Sequence, residues 1–445
     1  MKALGTSAIL PRSFRKQYPV AVRAEGAWIW DADGKRYFDL AGSAAVNFIG
    51  HGDPSVAKSL SAQAAQLEFV HSSQFSSNVA EEFAEEVLAF AGDAFDGGAV
   101  FFTCGGSETV ETALKLARQY QVEIGQGSRT KFLSRHQAYH GATLGAMAVS
   151  GNRKRREIYM PLLQESPKVN LPYCYRCIYG CQDCGSKYAA EVEQALTPEF
   201  AGFIFEPVSG ATLGAVAPPH DYLQRVAEIC QANDALLVAD EVMTGFGRTG
   251  RNFAVDHWGI KPDLLLAAKG IASGYAPLGA VIANRKVVEA IRNGSGALVH
   301  GFTYNAHPVA IAAGRSSLDV IMKRGLVHAA SDEGAAGAAL KTALQDLRDC
   351  PGVGDVRGIG LLWGVEFVAD RSTKKPFDPA LQFSSKVAAA ASRRGVMTYP
   401  MQGCVDGISG DHLLIAPPAI SSPQDIQWAT EQLKSAIHEA ELSSR

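Results

Sequence analysis

Three short stretches of the chain hold side chains whose types and placement could do chemistry together. Lys269 closes the apolar run 263–268 and is followed at once by Gly270, Gly274, Pro277 and Gly279. Most lysines ride on solvated helix faces. One set where the backbone leaves a buried strand is partly stripped of water, which lowers its pKa and frees a nucleophilic amine. Asp240 ends a second apolar run, just ahead of the glycine-rich segment 244–250. A carboxylate at the end of a buried strand calls for a cationic partner, although in isolation Asp240 reads more simply as a cap or loop carboxylate. Residues 103–118 set Gly105, Gly106 and Ser107 between an apolar run and an amphipathic pattern. Unobstructed backbone N–H groups at such a helix start can receive a phosphate dianion, while most such turns only connect elements.

The elements that must position these groups can be read from the periodicity. Apolar runs at 99–103, 131–134, 202–207, 235–242, 263–268 and 279–283 alternate with helical patterns. This predicts an α/β fold with a mostly parallel sheet flanked by helices, its reactive groups at the strand ends. Residues 26–40 predict a hairpin turning at Asp33 and Gly34, and Pro54 or Ser55 can begin a helix running towards Gln66. Beyond about residue 320 the pattern predicts helices over 335–349, 380–394 and 422–440, one strand over 358–368 and a short one near 413–418. The expected division is an N-terminal segment, 1–60, belonging to a small domain, a large domain over 61–320 and a C-terminal small α+β domain over 321–445.

Composition narrows the partners. The 445 residues are 47% hydrophobic and carry a formal net charge of -3, with no electrostatic footprint for nucleic acid or an anionic membrane. The basic run 153–156 reads as a solvated face. No apolar run spans a bilayer, and the N-terminal apolar stretch is broken by Pro11 and followed by Arg12 and Arg15, unlike a signal segment. The expected location is the cytoplasm.

Together with Tyr139-His140-Gly141, Glu206-Pro207 and Thr303 ahead of His307-Pro308, these pieces agree in order and spacing with one family. The chain resembles the class III (ω-amino acid type) aminotransferases of pyridoxal 5'-phosphate (PLP) fold type I along nearly its whole length. The resemblance implies that Lys269 carries PLP as a Schiff base and then serves as general base and acid, with Asp240 keeping the pyridine nitrogen protonated. It implies that Gly106 and Ser107 hold the phosphate, that Thr303 reaches the phosphate of the other subunit, and that Tyr139 stacks on the ring beside His140 with Val242 opposite. Glu206 matches an acidic residue of the cofactor and substrate pocket. The implied assembly is a homodimer with shared active sites, a tetramer being the alternative. The implied reaction moves an amino group from an ω-amino acid, diamine or other primary amine to pyruvate or 2-oxoglutarate. Racemase, aminomutase or decarboxylase chemistry on the same cofactor is the alternative, and a non-catalytic binding protein a third reading.

Two features depart from the family pattern. Its substrate-binding arginine has no counterpart here: Leu413 stands near the expected place, and no arginine lies between Met401 and Ile420. Glu206, which in many members pairs with that arginine, could then face a substrate amine or be structural. Ser43, Ala44 and Ala45 stand where some amine-accepting relatives carry a large aromatic, leaving a roomier pocket with Ala44, Phe48 and Phe75 as candidate walls. Lastly, Cys174, Cys177, Cys181 and Cys184 make the spacing C-x2-C-x3-C-x2-C. Two CxxC pairs resemble zinc knuckles, but zinc ribbons separate their pairs by many more residues. The sequence therefore assigns no metal and leaves a zinc or redox role as the lesser reading.

Overall fold

A computed structural model describes residues 8–219 and 221–444. Residues 1–7, which open the N-terminal apolar stretch, lie outside the described residues. Among the described residues fifteen strands fall into three sheets. Strands β1 (Ala21–Glu25), β2 (Trp28–Asp31) and β3 (Arg36–Asp39) open the chain. The large sheet follows with β4 (Ala99–Thr103), β5 (Lys131–Arg135), β6 (Lys168–Val169), β7 (Phe200–Phe205), β8 (Leu236–Asp240), β9 (Leu264–Ala267) and β10 (Gly279–Ala283). The last part contributes β11 (Val353–Ile359), β12 (Leu362–Phe367), β13 (Val396–Met397), β14 (Tyr399–Gln402) and β15 (Asp411–Ile415).

The seven-stranded sheet runs β4-β10-β9-β8-β7-β5-β6. All neighbouring pairs are parallel except those of β10, which is antiparallel to both β4 and β9. Strands β7 to β10 are buried at every position because helices cover both faces, which is why they read as unbroken apolar runs. Alternation along the strands divides the core. Leu264 and Leu266 pack with Val110, Ala113 and Ala117 of the helix Gly106–Glu123 on one side. Leu265 and Ala267 face the aromatic-rich core on the other.

The first sheet pairs β3 with β13, so the N-terminal hairpin is completed by a strand more than 350 residues away in sequence, as the Phe38–Val396 register records. The turn at Asp33 and Gly34 is held by Asp31 Oδ1, which accepts the N–H groups of Asp33 and Lys35. The helix Pro54–Gln66 begins under Asp53, whose carboxylate accepts the N–H of Ser55.

One expectation is corrected in the third sheet, ordered β11-β12-β15-β14. The apolar run 358–368 is not a single strand but the end of β11, a turn and β12. Gly360 adopts φ +58, and a Cβ there would meet the Thr249 backbone at 2.5 Å. The backbone reverses at a glycine pressed against another segment, a tertiary reason that apolar content does not reveal. Among the described residues no helix is long and apolar enough to cross a membrane.

Candidate active site

Because β7, β8 and β9 are parallel, their carboxyl ends bring Glu206, Asp240 and Lys269 to one edge of the sheet. Lys269 follows β9 with φ +47, left-handed backbone that a non-glycine residue adopts only under constraint. Ser273 anchors that turn, its hydroxyl accepting the N–H groups of Phe48 at 2.7 Å and Ile49 at 2.9 Å. Loss of water around the Lys269 amine pulls its pKa down to about 8, against the partial support of Asp240 and Glu206.

Asp240 is held from two directions. Its Oδ2 lies 2.7 Å from His140 Nδ1, and its Oδ1 accepts the N–H of Val242 at 3.1 Å. His140 in turn donates its backbone N–H to Ser150 Oγ, while its buried Nε2 has no partner. Glu206 accepts from the N–H groups of Tyr139 and Gly210, both at 3.2 Å, and burial raises its pKa. Arg135, fully buried, donates to the Glu206 carbonyl and so fixes that strand end.

These groups surround a cavity of about 450 Å³. Gly105, Gly106 and Ser107 line its far side, where the helix Gly106–Glu123 starts from an extended Gly105 with no side chain capping it. A Cβ on Gly106 would strike Val242 at 2.8 Å, so this position needs a glycine for the close approach. Ser107 Oγ accepts the N–H of Ala142, tying the helix start to the segment that carries Tyr139 and His140.

A family model for class III aminotransferases matches residues 10–437. The chain is a class III aminotransferase. It is 37% identical over 430 residues to the uncharacterized aminotransferase YodT of Bacillus subtilis, covering 95% of each chain. It is 33% identical over 429 residues, with 94% of this chain and 92% of the relative covered, to an uncharacterized aminotransferase, C1771.03c, of Schizosaccharomyces pombe. Among solved structures, an amine transaminase from an uncultivated Pseudomonas species, in its PLP-bound form, superimposes with a TM-score of 0.90 at 32% identity, covering 99% of this chain and 98% of that one.

As a member of this family the aminotransferase depends on PLP, and the cavity suits that group. An uncapped helix start can receive its phosphate, an amine of lowered pKa can bond its carbonyl carbon, and a buried carboxylate can face its ring nitrogen. Tyr139 and Val242 line the same cavity and could bracket a flat ring.

The other expected residues lie elsewhere in the aminotransferase. Phe48 is 1% exposed and sits beneath the Arg248 guanidinium in the core, 5.0 Å from its carbon, so it does not line this cavity. Ala44 and Phe75 do not line it either, Phe75 being exposed in a loop. Thr303 is exposed and outside the cavity of its own chain. Leu413 is fully buried in β15, inside the core.

Two arginines have roles that the sequence did not show. Arg248 is fully buried and donates to the carbonyls of Asn47, Ala416 and Pro417, fastening three segments beneath the site; its signal was the repeated glycine of residues 244–250. The basic run 153–156 is not one solvated face. Arg153 and Lys154 are exposed, Arg156 is buried against Glu165, and Arg155 turns inward with its guanidinium 4.5 Å from the centre of the Tyr139 ring.

Proposed function

We propose that the protein transfers an amino group from an ω-amino acid, diamine or other primary amine to a 2-oxo acid such as pyruvate or 2-oxoglutarate, with Lys269 as the cofactor-binding and proton-transferring residue. The observation that carries this reading is the Lys269 amine, held at the end of β9 with its pKa near 8 and facing the Asp240–His140 pair. PLP, when bound, supplies a carbon that carries the amino group and a ring that takes up an electron pair. Lys269 would take the proton from the substrate carbon onto its amine and return it. Asp240, oriented by His140 and by the Val242 N–H, holds a proton on the ring nitrogen. Glu206 positions Tyr139 through its backbone N–H, and the helix start at Gly106 and Ser107 binds the phosphate. Thr303, exposed on its own chain, crosses to the phosphate of a second chain in a homodimer. We place the enzyme in the cytoplasm.

Arg155, which reaches the cavity only through the Tyr139 ring that lines it, would supply the cation that the C-terminal segment lacks. Its charge bears on both Lys269 and His412, and its hydrogen bond is to Met401 Sδ at 3.6 Å, a weak acceptor. Arg153 and Arg156, by contrast, are each paired with a glutamate. A guanidinium poised over the Tyr139 ring without a carboxylate among the described residues is available for a substrate carboxylate.

The test is a half-reaction. Holoenzyme given amine donor alone should release a stoichiometric carbonyl product, and added 2-oxo acid should then leave as the amino acid. Epimerised or decarboxylated amine without carbonyl product would contradict the reading. Arg155→Leu should raise the KM for the 2-oxo acid about 10- to 100-fold, the loss expected for one charge-assisted contact, and leave the KM of an uncharged-tail amine donor unchanged.

A further inference from the structure

The four clustered cysteines lie outside the active-site cavity, and the fold shows what their short spacing does. Cys174 opens a single 3-10 turn, Cys174–Arg176, and Cys184 begins the helix Cys184–Ala195. Between them Gly180, Cys181 and Asp183 all adopt left-handed backbone, with φ of +76, +59 and +51. These reversals fold the second CxxC pair back onto the first, so the three residues between the pairs suffice. The Sγ atoms of Cys181 and Cys184 stand 3.7 Å apart, those of Cys174 and Cys184 4.0 Å apart, and all three lie within 4.8 Å of one another.

Four sulfurs bound at ~2.3 Å in a tetrahedron around one zinc ion are separated from each other by about 3.8 Å. The Cys181–Cys184 and Cys174–Cys184 separations, 3.7 and 4.0 Å, lie close to that figure. Thiol pairs are poor hydrogen-bonding partners, so three sulfurs converging on one point gain little from one another without an ion. Cys177 is oriented by groups of the same loop. Its Sγ accepts the N–H of Cys181 at 3.2 Å and the Tyr188 hydroxyl at 3.7 Å. Backbone N–H groups directed at sulfur are what a metal-bound thiolate needs around it. Cys177 stands outside the three sulfurs that lie within 4.8 Å of one another, and it is the fourth thiol of the same short loop.

We propose that Cys174, Cys177, Cys181 and Cys184 form a tetrathiolate site for one structural zinc ion. The site fastens the loop that docks the large sheet onto the third sheet. Tyr173 and Arg176, beside the first two cysteines, both bond Glu366 of β12, and Lys374 donates to the Tyr175 carbonyl at 2.6 Å. With its four positions filled by protein, the ion has no open site for substrate.

Metal analysis of holoenzyme purified without a metal-affinity step should find about one zinc per chain, and a mercurial should release it in step with about four thiols. Cys181→Ser, at an exposed position, and Cys174→Ser should each reduce the zinc content at least about fivefold and lower the unfolding midpoint, with kcat at 25 °C within about twofold of the parent. Mass spectrometry of the alkylated chain provides an arm that needs no variant. Iron at that stoichiometry, a disulfide among these cysteines, freely alkylated thiols with no metal, or zinc retained in both variants would each overturn the proposal.

Discussion

Two buried carboxylates at the ends of β8 and β12 share a depth but not a fate. Glu366, fully buried in β12, has a guanidinium at each oxygen: Arg176 Nε at 2.6 Å from Oε1 and Arg357 Nη1 at 2.9 Å from Oε2, with the Tyr173 hydroxyl also on Oε2. Asp240 is met by a histidine and a backbone N–H, and the strongest cation near it, Lys269, is kept off its ordinary pKa by lost water. Burial pushes the Glu366 pKa up to about 8, yet two guanidiniums and a hydroxyl fill its hydrogen-bonding positions, and the result is a joint between sheets. Around Asp240 the arrangement opens onto a cavity, with His140 Nε2 unpartnered and an amine not fully engaged by the protein. A buried carboxyl whose hydrogen-bonding positions are all filled fastens a structure, whereas one left incompletely matched beside a cavity is available to a ligand.

Substitutions can break this contrast. The largest effect is expected for Lys269→Ala, which removes cofactor bond and proton carrier in one step: turnover should fall by about four orders of magnitude or more, with the circular dichroism spectrum unchanged. Near-normal turnover would erase the distinction between the two clusters. Asp240→Asn keeps the hydrogen bond from Val242 but loses the charge, and steady-state kinetics should show about a 100-fold or greater loss in kcat with little change in stability. Glu366→Gln should do the reverse. Two arginines left facing a neutral amide should lower unfolding stability by about 3 kcal/mol in denaturant titrations, while kcat measured well below the transition stays within about twofold. A large fall in kcat for Glu366→Gln without loss of stability would mean the joint takes part in the reaction.

Much of this was legible in the chain because the elements around Lys269 and Asp240 follow simple rules. Strands β7 to β10 are buried at every position and almost wholly apolar, so their ends could be located, and parallel pairing of β7, β8 and β9 places those ends together whatever the loops do. Gly106 and Ser107 were visible because a phosphate-sized space at a helix start requires small residues in sequence there. Of the expected walls, Tyr139, Glu206 and Val242 line the cavity, whereas Ala44, Phe48 and Phe75 do not. Phe48 carries no local mark that separates core from cavity, and only the buried Arg248 beside it decides the matter. Arg155 was hidden by its neighbours: four basic residues in one helical turn point in different directions, so the run had no single face to read. Gly360 turned one expected strand into a hairpin through contact with Thr249, more than a hundred residues away. Cysteine spacing was likewise read as distance along the chain, whereas left-handed backbone at Cys181 and Asp183 brings three of the four sulfurs together across a short link.

The most direct test of the central claim, that the incompletely engaged amine at the end of β9 is the one the cofactor uses, is chemical capture. Holoenzyme reduced with borohydride, digested and mapped by mass spectrometry should carry the pyridoxyl mass on the peptide containing Lys269, with the visible absorbance lost in step. The label on any other lysine, or a reduced enzyme with no covalent label, would contradict it.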